Sequence, residues 1–125
     1  MGHESIGVVE EVGAAVESVK PGGFVVVPFP YSCGKCPVCK AGFESVCPHG
    51  GYFSACQAEY LRVPEADGTV VKVPGSSEDY DDATLASLLT ISDVMSTGYH
   101  AAASADVKPV TPPWSWAMAQ LACAV

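Results

Sequence analysis

Apolar residues in this chain fall into short runs separated by glycine, proline and acidic residues, and their period changes near Ser76. Ile6 to Val12, bounded by glycines, predicts a β-strand, and Phe24 to Pro28, after the turn Lys20-Pro21-Gly22-Gly23, predicts a second and more buried one. Gln57 to Pro64 alternates polar and apolar, as a half-buried strand does, and Thr69 to Val73 predicts a short strand closed by Pro74-Gly75. From Ser76 the texture becomes helical. Ser76-Ser77-Glu78-Asp79 can cap a helix start, and Ala83, Leu85, Ala86, Leu88 and Leu89 form one stripe. Ile91 to Ala103 predicts a second helix, with Ser92 as its cap and Asp93 in its first turn. The expected fold is therefore mainly β with C-terminal helices, the short strands and glycine turns suggesting a barrel. Glycines 2, 7 and 13 read as turn and close-packing positions.

Composition narrows the picture. The 125 residues suffice for one compact domain with a modest core, and neither an internal repeat nor a long linker divides them. Six basic against fourteen acidic residues give a formal net charge of -8, which disfavours a nucleic-acid or anionic membrane partner. No apolar run approaches the roughly 20 residues of a membrane span, and Met1-Gly-His-Glu has no signal-peptide character, so a cytoplasmic location is expected.

The densest chemistry lies in Cys33-x2-Cys36-x2-Cys39-x7-Cys47. Thiolates set this close reach one Zn²⁺ with little loop-closure entropy, and four soft ligands leave no open coordination position, which makes such a site structural. Gly34, Pro37 and Gly42 let the backbone turn between ligands, and Lys35 and Lys40 offset the thiolate charge. The alternative of disulfides would strain cysteines this near in sequence. Cys56 reads as a small buried hydrophobe, and His49 and His100 as structural or solvated. His3 alone would pass for a polar residue before an exposed strand, and Asp93 for an anion at a helix N-terminus.

Taken together, Gly2-His3-Glu4-x2-Gly7-x5-Gly13-x2-Val16, the four-cysteine lobe, Gln57-Ala58-Glu59-Tyr60 and Ser92-Asp93-x4-Gly98-Tyr99-His100 resemble the zinc-dependent alcohol dehydrogenases of the medium-chain dehydrogenase/reductase superfamily. The likeness runs from residue 2 to 109 and points to the formaldehyde and alcohol dehydrogenase branch, in which an aspartate in Ser-Asp-x4-Gly-Tyr binds the catalytic zinc. The resemblance implies a partial GroES-like β-barrel over residues 1–109, with a zinc lobe at 32–48. It also implies His3, Glu4 and Asp93 at a catalytic zinc, Cys33, Cys36, Cys39 and Cys47 at a structural zinc, and Thr97 and Gly98 near the nicotinamide of NAD or NADP. The implied reaction passes hydride between a zinc-bound small alcohol or aldehyde and the nicotinamide. A homo-oligomer is compatible with it.

Two departures from the family pattern shape the expectation for this chain. Family members carry a catalytic cysteine and opening barrel strands ahead of the Gly-His-Glu segment, where this sequence has Met1. After Pro109 the family continues into a glycine-rich nucleotide loop, whereas residues 110–125 read Val-Thr-Pro-Pro-Trp-Ser-Trp-Ala-Met-Ala-Gln-Leu-Ala-Cys-Ala-Val. Trp and Met codons end in G and Ala codons begin with GC. One G restored after the Pro109 codon therefore forces glycine at Trp116-Ala117 and Met118-Ala119 and permits a third at Leu121-Ala122, giving a G-x-G-x-x-G fingerprint. The tail thus reads as an out-of-frame remnant of a Rossmann domain start. The expectation is an inactive fragment of a dehydrogenase, with a non-enzymatic zinc-binding module or subunit-association fragment as the alternative.

Overall fold

The computed structural model describes residues 2–108, and the reading of residues 110–125 lies outside them. Three strands, β1 (Ser5–Val8), β2 (Phe24–Val27) and β5 (Val71–Lys72), form an antiparallel sheet with β2 in the middle. Ser5 lies opposite Val27 and Val8 opposite Phe24, while Val25 and Val26 face Lys72 and Val71. The unbroken apolar run Phe-Val-Val-Val has this central place because both of its faces are covered, all four residues being at most 5% exposed. Val19, Val25 and Val27 form the core, with Val9, Val16, Phe53, Leu61, Val63 and Val70 packed around them. A smaller sheet pairs β3 (Pro30–Tyr31) with β4 (Gly51–Tyr52), Pro30 opposite Tyr52. Sheets precede helices as expected, and among the described residues the strands do not close into a barrel.

Several boundaries differ from the sequence reading. β1 ends at Val8 because the chain then turns: Val9 donates to the Gly23 carbonyl (2.9 Å) and accepts from Gly22 (2.8 Å), and Glu10 to Ala15 are exposed. Gln57 to Pro64 is not a strand. Its alternation still sorts Leu61 and Val63 inward and Tyr60 and Arg62 outward, but no neighbouring strand pairs with it among the described residues. Alternation encodes which side is covered, and a ladder also needs a partner. Thr69 closes a one-turn helix, α2 (Ala66–Thr69), and only Val71–Lys72 remains as strand. Gly7 is neither a turn nor a tight packing site, since a Cβ there would meet nothing within 4 Å.

The helical half begins later than expected. Ser76 caps a 3-10 turn, Ser77–Asp79, in a reciprocal capping box in which the Asp79 carboxylate accepts from Ser76 N–H (2.6 Å). The longer helix, α3 (Asp82–Ile91), has its own cap in Asp81, which accepts from Thr84 N–H at 2.8 Å. Ser92 ends α3 instead of starting the next helix, its hydroxyl donating to the Leu89 carbonyl (2.7 Å). The last helix, α4 (Val94–Ser104), packs on α3, and α3 in turn touches β1 and β2. No helix among the described residues is long and apolar enough to cross a membrane.

Candidate metal centres

The four-cysteine lobe builds its own geometry from local turns. Gly34 takes a left-handed conformation (φ 65°), which frees the chain to bend between Cys33 and Cys36. Cys36 then caps α1 (Pro37–Lys40), its sulfur accepting from Cys39 N–H at 3.5 Å, and Pro37 occupies the first turn, where a missing N–H costs nothing. Gly42 (φ 84°) and a 3-10 turn, Glu44–Val46, return the chain to Cys47. The four sulfurs lie within 4.8 Å of one another. Three of the separations are 3.5 Å (Cys36 to Cys39), 3.7 Å (Cys47 to Cys33) and 3.9 Å (Cys36 to Cys47). Zn–S bonds of about 2.3 Å give a tetrahedral edge of about 3.8 Å, so three of the separations already match zinc and a small contraction brings in the widest. All five cysteines of the described residues are free thiols, and Cys56 is the buried one outside the lobe, as expected.

Electrostatics favour deprotonation of part of the lobe. Backbone N–H groups, from Cys33 foremost, pull the Cys47 thiol down to about 7, and the Lys35 N–H lowers that of Cys33. Burial pushes Cys39 up to about 12, so that thiol holds its proton until a cation replaces it. The lobe is also pressed against α2. A Cβ on Gly68 would sit 2.3 Å from the Ser32 carbonyl and 2.5 Å from Gly34 N, a contact only glycine allows. Asp67, beside it, accepts from Glu17 and Ser18 backbone N–H groups (3.1 and 2.8 Å) some 50 residues earlier in the chain. The sequence reading did not find this tether. Asp67-Gly68 is a turn signal, and nothing in it names the distant partner.

The second group is assembled across the whole fold. His3, just before β1, and Asp93, between α3 and α4, meet with Nε2 2.6 Å from Oδ2 although 90 residues separate them. An ionised carboxylate only accepts, so the imidazole proton is on Nε2. The Phe29 ring meets the His3 ring edge-on at 4.9 Å, a neighbour the sequence did not suggest. Asp93 occupies the N-cap position of α4 yet makes no side-chain cap bond; its other oxygen, Oδ1, accepts from the Thr97 hydroxyl at 3.1 Å. Glu4 instead reaches that helix end, accepting from Val94 N–H at 3.3 Å. Of the two residues expected near a nicotinamide, Thr97 is exposed and Gly98 is buried within α4. His49 and His100 are exposed and stand apart from these contacts. Among the described residues, the four cysteines are the one group of three or more metal-binding side chains whose ligand atoms converge.

Small antiparallel sheets carrying a tetrathiolate lobe define a GroES-like domain with a structural zinc site. The family model of the alcohol dehydrogenase GroES-like domain matches residues 1–75, and the chain belongs to that family. It is 45% identical to zinc-type alcohol dehydrogenase B of Aspergillus flavus, over 90% of this chain and 26% of that protein. A glutathione-independent formaldehyde dehydrogenase of Pseudomonas aeruginosa is 36% identical over 87% of this chain and 30% of its own length. Among solved structures, the alcohol dehydrogenase TADH from Thermus sp. ATN1 superimposes with a TM-score of 0.72 at 30% identity, covering 87% of this chain and 32% of that one. The chain therefore spans about a quarter to a third of the relatives it matches.

Proposed function

We propose that residues 1–109 are a partial GroES-like catalytic domain of a zinc-dependent, nicotinamide-linked dehydrogenase of small alcohols or aldehydes, and that the 125 residues alone do not turn over substrate. The observation that carries the first half is the His3–Asp93 contact, which joins an imidazole and a carboxylate from opposite ends of the fold. Two ligands of one zinc ion would stand about 3.3 Å apart at ordinary bond lengths, so the pair fits a shared ion once its hydrogen bond opens. Zinc held there would polarise an alcohol oxygen and ease loss of its proton. His3 contributes a neutral nitrogen, Asp93 a carboxylate charge, and Phe29 an apolar wall that keeps water from one side of the imidazole. Thr97, exposed on α4 one turn beyond Asp93, is placed for contact with a nicotinamide of NAD or NADP.

The second half rests on donor count. His3 and Asp93 supply two donor atoms, the Glu4 carboxylate is engaged by Val94 N–H, and no third metal-binding side chain converges on the pair among the described residues. The alternative, a non-enzymatic zinc module or a fragment that associates with intact subunits, is favoured by one observation: the tetrathiolate lobe is complete within residues 33–47. Residues 110–125, outside the described region, we read as the out-of-frame start of a Rossmann domain, which the codons of the gene decide. Metal analysis of the purified chain with an NAD- or NADP-linked alcohol assay tests the whole reading. About one tightly held zinc per chain and no turnover is the expected result. Alcohol-dependent reduction of the nicotinamide would overturn the inactivity.

A further inference from the structure

We infer that Thr97 is a positioning residue for Asp93, and that Glu4, by accepting from the Val94 N–H, anchors the helix end that carries Asp93; the inference rests on the proposed function of the His3–Asp93 pair. An aspartate at an N-cap ordinarily bonds the amides of the first turn, which orphaned N–H groups invite. Asp93 has the position but not the bond: its two oxygens go to His3 (2.6 Å) and to the Thr97 hydroxyl (3.1 Å). The Thr97 backbone N–H donates to the Asp93 carbonyl at 2.9 Å, so the residue that holds the side chain is fixed to the same turn of backbone. Thr97 is the right type at this spacing, because a residue one turn on lies beside the side chain four positions earlier, and a β-branched hydroxyl has little rotamer freedom in a helix. Meanwhile the Val94 N–H, which an Asp93 cap would leave to its neighbours, is accepted by Glu4 from the β1 side of the fold at 3.3 Å.

The consequence is a carboxylate whose orientation is set from both sides. Oδ1 is held by Thr97, Oδ2 is thereby aimed at His3, and Glu4 fixes the start of the helix through the Val94 N–H. Deleting the Thr97 hydroxyl should let Asp93 rotate back toward the first turn of α4, with the imidazole losing its fixed partner.

Two readouts on the 125-residue chain separate this from the functional reading. Long-range 1H–15N spectra, which distinguish the two neutral tautomers from the imidazolium, report the proton on the His3 ring without metal. The wild type and Thr97→Ser should show the Nε2–H form, and Thr97→Val a mixture of tautomers. Glu4→Gln, which keeps an acceptor oxygen, should leave the Nε2–H form, whereas Glu4→Ala should erode it. An Nε2–H form untouched by Thr97→Val, or already mixed in the wild type, overturns the inference. Titration of the zinc-loaded chain with Co²⁺ then tests the pair as a metal site. A second ion lost in His3→Ala and weakened 10- to 100-fold in Thr97→Val, roughly the cost of losing an outer partner, supports both. A second ion lost in His3→Ala but unaffected by Thr97→Val overturns the positioning role alone. With the tautomer shifts intact and no second ion bound even weakly, the reading of the His3–Asp93 pair as a metal site falls, while the positioning of Asp93 stands.

Discussion

The four-cysteine lobe and the His3–Asp93 pair are built in opposite ways. The cysteine lobe closes within residues 33–47, each turn dictated by the residue beside it: Gly34, the Cys36 cap, Pro37, Gly42. The His3–Asp93 pair spans 90 residues and exists only because α4 is stacked on α3 and α3 on β1 and β2. Local closure costs little chain entropy and yields four donors already at ligand spacing, whereas the long-range pair depends on everything between its members. The lobe should therefore be robust to damage elsewhere in the fold, and the pair should not.

The largest effect that would break this contrast is removal of a lobe ligand. Cys39→Ser should reduce zinc affinity by far more than 100-fold, because a structural tetrathiolate has no spare ligand and the ion's binding free energy is folding free energy. Zinc content and competition with a chromophoric chelator measure it. Chelation of the wild type should release the lobe while leaving the Val25–Val27 core protected in hydrogen exchange.

Next in size is the seam where the lobe meets α2. Gly68→Ala puts a methyl group 2.3 Å from the Ser32 carbonyl. Backbone on both sides must shift, at a cost of about 3 kcal/mol seen as a lower denaturation midpoint. A stability unchanged from wild type would show that the lobe is not seated on α2 as described. Smaller again is His3→Ala, which breaks a half-exposed contact and should cost less than about 1 kcal/mol of stability. Zinc in the lobe should be untouched, and loss of lobe zinc in this variant would mean that the two centres are not independent.

The smallest effect concerns the Asp67 tether. The Ser18 side chain lies close without a formed hydrogen bond, and with it the Ser18 N–H and then the Glu17 N–H hold the carboxyl below its usual 3.8, while burial opposes them. A lowered folded-state value stabilises the fold above the unfolded value and is lost as pH falls through the folded one. The wild type should thus lose stability below about pH 4, and Asp67→Asn should flatten that part of the curve. An identical acid limb in the variant would remove Asp67 from the account.

Much of the lobe was legible in the sequence, because ligand spacing and turn residues are adjacent in the chain and act through local geometry. The same holds for Phe24–Val27, whose short, valine-rich apolar run between Gly23 and Pro28 reads as a strand covered on both faces. Gln57 to Pro64 shows where that legibility ends: its alternation told which side is covered and not whether a strand lies beside it. Ser92 was misplaced for a related reason, since a serine between two helical runs can close one helix or open the next, and the Leu89 carbonyl decided the matter.

By itself the sequence determined the tetrathiolate, the buried central strand and the turn from sheets to helices, all of which depend on neighbours within a few residues. Tertiary structure alone decided that Asp93 makes no cap bond to its helix, that Glu4 meets the Val94 N–H, and that Asp67 fastens a loop 50 residues away. A carboxylate satisfies equally well any N–H group within reach, so composition cannot choose its partner. Packing chooses, by fixing which donors are near.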